Sequence, residues 1–250
     1  MNRFNQLISP RFVYRCLNRL LPWCLSFSVI LLLLGMGLGL FGVPPDAQQG
    51  DGFRMIYIHV PAAFLSLGIY SIIFCCSVIY LVWSLKIADI CAKASASVGA
   101  LYTLIALISG ALWGKPMWGT WWIWDARLTS ELVLLFLYWS YLGLRLSIRE
   151  EKRAAKAAAL LAIVGMIDIP LIHFSVEWWT TLHQGATLLK FSKPSIATEM
   201  LIPLLIMLAG FSFFYGTILC IRMRSELLKR EWRSLWVSEI VLNIQLNTKA

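Results

Sequence analysis

Tryptophan, aspartate and arginine side chains are concentrated in one short stretch near the middle of this 250-residue chain. Residues 113–138 read WGKPMWGTWWIWDARLTSELVLLFLY. Five of the chain's twelve tryptophans lie here: Trp113, Trp118, Trp121, Trp122 and Trp124. Indole rings are flat and mostly apolar, and each carries one N–H donor, so a group of them suits a large planar apolar ligand. Tryptophan is also common at the headgroup level of a bilayer, but this density beside Asp125 and Arg127 favours the ligand.

The spacing of these residues gives them a common direction if the stretch 118–125 is helical. Trp118, Trp121, Trp122 and Asp125 are then at positions i, i+3, i+4 and i+7, which share one helix face. We therefore predict an amphipathic, tryptophan-rich segment that offers several indole faces, with a carboxylate at its end.

Histidine is the second residue type with chemical potential, and the chain has three: His59, His173 and His183. Imidazole is a standard axial ligand of haem iron, and two imidazoles can hold the iron from opposite sides. His59 lies just before Pro61, which fits best in the first turn of a helix, whereas His183 lies in a loop. A lone histidine near a membrane surface is more often a hydrogen-bonded structural residue, and we keep that interpretation for His173.

The elements that must position these residues are membrane helices. Hydrophobic residues make up 59% of the chain, compared with about 45–50% in ordinary soluble domains. Apolar runs have the length of transmembrane helices at about 20–43, 55–85, 94–112, 128–148, 157–174 and 195–221. We predict an all-α integral membrane protein in which 1–250 form a single six-span domain. Gly114 and Pro116 are expected to stop the third span, and Asp168 and Pro170 to interrupt the fifth.

Lysine and arginine are distributed unequally between the two sides of these predicted spans. Seventeen of the 22 lie in the amino terminus, the second-to-third loop, the fourth-to-fifth loop and the tail, and five lie in the intervening loops. The positive-inside rule then places both termini and the tail 222–250 in the cytoplasm, and places His59, His183 and segment 113–128 outside. The net charge of +9 is therefore interpreted as membrane orientation, and nucleic acid is not expected as a partner. Apolar residues of the tail form a helical face that is expected on the membrane surface: Leu228, Trp232, Leu235 and Trp236.

The sequence lacks the dithiol, covalent-haem and phosphate-binding motifs that would indicate an enzyme of those kinds. Its six cysteines form no C-x-x-C and no C-x-x-C-H, which argues against a dithiol site and against covalent haem attachment to this chain. A phosphate-binding glycine loop is also absent from the sequence, so any ATP hydrolysis must come from another subunit. We expect an assembly protein rather than an enzyme. Glu131 and Asp168 are acids within predicted spans. We treat a functional role and a structural role as equally consistent with that position.

Three segments carry a family resemblance. WGTWWIWDARLTSEL resembles the tryptophan-rich WWD signature of the haem-handling proteins of cytochrome c maturation. IHVPAAFLSLGIY, from Ile58, and WWTTLHQGATL, from Trp178, resemble the two histidine segments of the haem exporter protein C family (CcmC). The resemblance implies non-covalent binding of haem b at the outer face, with His59 and His183 as axial ligands of the iron. The other expected haem contacts are Trp118, Trp121, Trp122, Trp124, Asp125, Arg54 and Arg127, with the two arginines facing the propionates.

The family also implies partners and a location. These are the periplasmic haem chaperone CcmE, the transporter subunits CcmA and CcmB, the small membrane protein CcmD and membrane lipid. The site is expected to face the periplasm from a bacterial inner membrane, or the corresponding side of a plant-type mitochondrial inner membrane.

One alternative is a WWD-type haem lyase that joins haem to apocytochrome c, although such relatives are larger. Another is a b-type electron-transfer subunit, which usually needs histidine pairs near both membrane faces. A conventional exporter would need a polar path through the spans.

Overall fold

The computed structural model describes residues 9–183, 185 and 196–240. The predicted start of the sixth span at 195, Lys190 and Lys193 of the expected outer loop, and the end of the tail lie outside the described residues. The main helices are α1 (Pro10–Gly37), α2 (Ile56–Trp83), α3 (Lys86–Trp118), α4 (Ala126–Ser147), α5 (Glu151–Gly165), α6 (Asp168–Trp178) and α7 (Thr198–Arg230). Within this part of the chain no β-strand forms, and one isolated bridge joins Asp46 and Gly50. The all-α prediction is therefore confirmed.

Five helical segments in the described residues are long and apolar enough to cross a membrane. They are Pro10–Gly42, Asp51–Trp83, Lys86–Trp118, Glu151–Trp178 and Thr198–Arg230. Large apolar side chains on these segments are exposed, as expected for contact with lipid; Phe41 is 89% exposed and Leu33 71%. Helix α4 is not in this set, and it carries Arg127, Glu131 and Arg145. The prediction of six spans therefore stays a prediction.

The end of α3 differs from the sequence-based expectation. Instead of stopping at Gly114 and Pro116, the helix continues to Trp118 and ends at Gly119, which has a φ of 77°. Pro116 has no N–H for a bond to the carbonyl four residues before it, so it removes one backbone hydrogen bond from the last part of α3. Residues 119–125 are then irregular. The prediction of one helix face across 118–125 is wrong, because the left-handed glycine turns the chain out of the helix.

The fifth predicted span is divided in two, close to the expected position. Helix α5 ends at Gly165 and α6 begins at Asp168 after a short turn. Asp168 and Pro170 thus lie in the first turn of α6, where proline lacks only a donor that would have no partner anyway.

The last span extends as α7 to Arg230 rather than ending near 221. Beyond it, Trp236 packs against the protein, whereas Leu235 is 84% exposed.

Small residues let the first and last helices approach closely. A Cβ on Gly35 would lie 2.8 Å from Met207 Cγ, and one on Gly210 would lie 3.0 Å from Leu32 Cγ. Helix α1 therefore packs along α7, while α2 packs along α3. Gly39 also allows a close approach, since it lies directly against the Tyr57 ring.

One end of the bundle is joined by an ion cluster that links α3, α4, α5 and α7. Its members are Asp89, Lys93, Arg145, Glu151, Glu226 and Arg230. Asp89 accepts from Arg145 Nη1 at 2.6 Å and from Arg230 Nη1 at 2.7 Å. Its side chain is 4% exposed and that of Arg145 is 2% exposed. The cluster contains three acids and three bases, so its charges are balanced inside the protein.

Candidate functional site

A cavity of about 480 Å³ opens at the end of the bundle opposite the ion cluster. It lies between the start of α2, the end of α3, the start of α4 and the end of α6. Its size is within the range of small-molecule and cofactor sites, about 300–1,000 Å³. Most of the lining is apolar, and the polar and aromatic members include His59, His173, His183, Trp113, Trp118, Trp122, Arg127, Glu131 and Gln49.

His59 and His183 face each other across this cavity. Their ring centroids are 6.3 Å apart, and the ring planes are inclined by 40°. A metal between two imidazoles has bonds of about 2 Å to each nitrogen, and each nitrogen lies roughly 1 Å from its ring centre. Ring centres should then be separated by about 6 Å, as they are here. The separation of the two rings therefore matches that of two imidazoles bound to one metal ion.

The structure also brings indole rings to both histidines. Trp113 makes an edge contact with His59 at 5.8 Å between ring centroids, and Trp118 lies 6.3 Å from His183. Trp113 Nε1 donates to Gln49 Oε1 at 3.0 Å, which fixes the orientation of that indole in the cavity wall. Trp122 lines the same cavity. These aromatic faces suit a flat apolar ring system that lies between the two histidines.

Four residues of the predicted site are not among the cavity-lining residues: Trp121, Trp124, Asp125 and Arg54. Trp121 is 54% exposed and Trp124 is 76% exposed; Trp124 contacts the edge of Trp122 at 5.4 Å. Asp125 is the N-cap of α4, where its Oδ1 accepts from the Leu128 N–H at 2.8 Å. The carboxylate therefore satisfies a free helix-end donor and fixes the point at which α4 begins.

The two predicted arginines have different surroundings. Arg127 lines the cavity, and its Nη1 donates to the Ile172 carbonyl at 2.6 Å, so α4 is tied to α6. Arg54 is outside the lining. Its guanidinium donates to the carbonyls of Gly39 at 2.5 Å and Val43 at 3.0 Å, at the end of the first span. Arg127 thus lies at the cavity, whereas the guanidinium of Arg54 is bound to backbone carbonyls outside it.

His173 and Glu131 line the cavity although neither was placed there by sequence. His173 is on α6, one residue after the carbonyl that Arg127 binds. Glu131 is four residues from Arg127 on α4, which puts the two on one helix face, and its Oε1 accepts from Ser66 Oγ at 2.8 Å. The four-residue spacing from Arg127 could have predicted that Glu131 lines the cavity. No sequence pattern could have predicted this for His173, because only the packing of α6 on α4 places it at the cavity.

The chain matches one protein family over nearly its whole length. A family model described as Heme exporter protein C matches residues 3–238. Heme exporter protein C of Haemophilus influenzae is 44% identical over 236 residues, which cover 94% of this chain and 96% of that protein. The Escherichia coli protein of the same name is 45% identical over 238 residues, covering 95% and 96%.

A relative from a plant extends this similarity beyond bacteria. A protein of Marchantia polymorpha, described as a cytochrome c biosynthesis ccmC-like mitochondrial protein, is 40% identical over 222 residues. The match covers 89% of this chain and 94% of that protein. Matches of this extent include every helix that frames the cavity. This chain belongs to the Heme exporter protein C family.

Proposed function

We propose that this protein binds haem b non-covalently in the cavity, as cargo, with His59 and His183 as the axial ligands of its iron. The observation that carries the proposal is the opposed histidine pair, with ring centroids 6.3 Å apart in a mostly apolar cavity. An iron porphyrin supplies the metal that two imidazoles can hold from opposite sides. Membership of the family supports this ligand class.

The other cavity residues complete the binding site. Trp113, Trp118 and Trp122 pack against the porphyrin, and Arg127 provides a positive charge for a propionate. Trp121 and Trp124 lie beside this set and are exposed, so we assign them to the edge that a partner approaches. Asp125 supports the site by fixing the start of α4, and Arg54 supports it by binding a carbonyl at the end of the first span.

Delivery is the second half of the proposal. The bound haem passes to the periplasmic chaperone CcmE, and the protein works with CcmA, CcmB and CcmD in the membrane. The three histidines of the chain all line one cavity at one end of the bundle. A subunit that carries electrons across a membrane needs haem ligands near both faces, so this arrangement supports delivery from a single face.

Membrane orientation gives a direct prediction. Alkaline phosphatase fused after Gly50 or Lys115 is expected to be active, and fusions after Lys93 or Lys152 inactive, because the basic loops remain in the cytoplasm. Gly50 and Lys115 lie at the cavity end, and Lys93 lies in the ion cluster at the opposite end. Enzyme activity of each fusion in whole cells is the measurement. An active fusion after Lys152 contradicts the orientation.

Binding and delivery are tested together in cells that express CcmE. The purified protein should carry haem, shown by a pyridine haemochrome assay, and CcmE from the same cells should carry haem covalently. Trp118→Ala removes one of several indoles from the cavity, so packing should weaken by about 1–3 kcal/mol. Because both imidazoles remain, much of the haem should stay bound while its transfer falls further.

The matched control is Trp121→Ala, which removes an exposed indole from the same segment. This variant should bind haem as the wild type does, and any effect should appear only in transfer. Strictly proportional losses of haem and of CcmE haemylation in both variants would show that the segment only binds. A wild-type protein without haem contradicts the proposed function itself.

A further inference from the structure

The His59 ring rests on helix α3 through one of its two nitrogens. Its Nδ1 lies 3.0 Å from the Ala106 carbonyl oxygen and 3.1 Å from Ser109 Oγ. A carbonyl oxygen can only accept a hydrogen bond, so Nδ1 must donate to make this contact. The proton of the neutral ring is then on Nδ1, and Nε2 keeps its lone pair.

The orientation of Ser109 supports the same assignment. Its hydroxyl oxygen is 2.6 Å from the Ile105 carbonyl and 3.2 Å from the Ala106 carbonyl, so its own proton is donated back into the helix. The hydroxyl lone pairs are left for Nδ1. The Ala106 carbonyl oxygen and Ser109 Oγ can thus both accept from the Nδ1–H of His59. If the proton were on Nε2 instead, the lone pair of Nδ1 would face the lone pairs of these two oxygens.

Gly110 makes this contact possible. A Cβ at this position would lie 3.0 Å from His59 Cε1 and 3.4 Å from Nδ1, but 3.9 Å from Nε2. The edge of the ring that carries Nδ1 therefore lies directly on the α3 backbone. A side chain at residue 110 would meet the His59 ring more closely than an ordinary van der Waals contact, so the ring would have to shift from its present position.

We propose that Ala106, Ser109 and Gly110 form a cradle that holds His59 in the Nδ1–H tautomer before haem arrives. The role of this cradle in haem ligation rests on the proposed function; the tautomer itself does not. Holding the tautomer removes the cost of choosing it during binding, and hydrogen bonds to Nδ1–H make Nε2 a stronger donor to a metal. Ala106, Ser109 and Gly110 are positioning residues for the ligand.

Nitrogen-15 spectroscopy of the haem-free protein in lipid bilayers tests the tautomer directly. Because the chain has three histidines, His173→Gln and His183→Gln variants assign the His59 signals. The expected result is a protonated Nδ1 and an unprotonated Nε2 on His59. A spectrum in which Nε2 carries the proton overturns the proposal.

Two pairs of variants test the cradle. Gly110→Ala should mix the two tautomers and lower haem affinity about 10- to 100-fold, the usual effect of losing a contact that orients a metal ligand. Gly68→Ala is its control on α2, because a Cβ there meets nothing within 4 Å. Ser109→Ala should keep the tautomer through Ala106 but shift the Nδ1–H signal. Its control is Thr103→Val, whose hydroxyl donates to the Gly99 carbonyl.

The outcomes separate the two proposals. Equal tautomer populations in the Gly110→Ala and Gly68→Ala variants contradict the cradle, whether or not haem binds. The Nδ1–H tautomer in a wild-type protein that binds no haem supports the cradle while contradicting the proposed function.

Discussion

Replacing His59 and His183 together with alanine is expected to remove the Soret and α bands of a six-coordinate haem from the purified protein. Both imidazoles line the cavity and face each other, so the double variant leaves the iron without either proposed ligand. Haem per protein should fall at least about tenfold, which corresponds to about 1.4 kcal/mol or more of binding free energy. Each single variant should retain haem with altered bands, because the other ligand and the indoles remain.

The control is His173→Ala, which removes an imidazole from the same cavity without removing a proposed ligand. Its spectrum should match that of the wild type. The measurement is the absorption spectrum with and without dithionite, with haem content from a pyridine haemochrome assay. Unchanged bands in the double variant contradict the assignment of the ligands. If only His173→Ala changes the bands, His173 on α6 is an iron ligand instead.

Hydropathy predicted the helical fold, and charge put the segments of His59 and His183 on one side. The family resemblance implied that the two histidines act as a pair. Prediction from sequence failed on the path of the chain between Trp118 and Asp125. An aspartate before an apolar run is both a possible member of a helix face and a typical N-cap. Gly119 decides between these interpretations, since its left-handed conformation ends α3 and leaves Asp125 free to begin α4.

Long-range contacts explain the remaining differences. Arg54 was expected at the haem propionates because arginine suits them. In the structure its donors bind carbonyls 11 and 15 residues away, a pairing that depends on how two segments pack. Arg145, near the end of the predicted fourth span, is buried against Asp89 on a different helix. Composition predicts where charges are common, and tertiary packing decides which of them become buried partners.

The ion cluster gives the largest expected effect on stability. Asp89→Ala removes the carboxylate that accepts from both Arg145 and Arg230, while both arginines stay in place. Removing one partner from a buried charge pair costs about 3–5 kcal/mol, because the remaining charge is left without compensation. We expect the free energy of unfolding in detergent micelles to fall by that amount, with a matching fall in the unfolding temperature.

The control is Glu150→Ala, which breaks the exposed pair between Glu150 and Arg153, whose side chains are 54% and 79% exposed. Exposed pairs of this kind contribute about 0–1 kcal/mol, so the unfolding temperature should hardly change. Adding Arg145→Met to Asp89→Ala should restore part of the lost stability, since the unpaired charge is replaced by an apolar side chain of similar length. If Asp89→Ala and Glu150→Ala unfold alike, the cluster does not hold the four helices together. The stability of this end of the bundle would then come from apolar packing between helices such as α1 and α7.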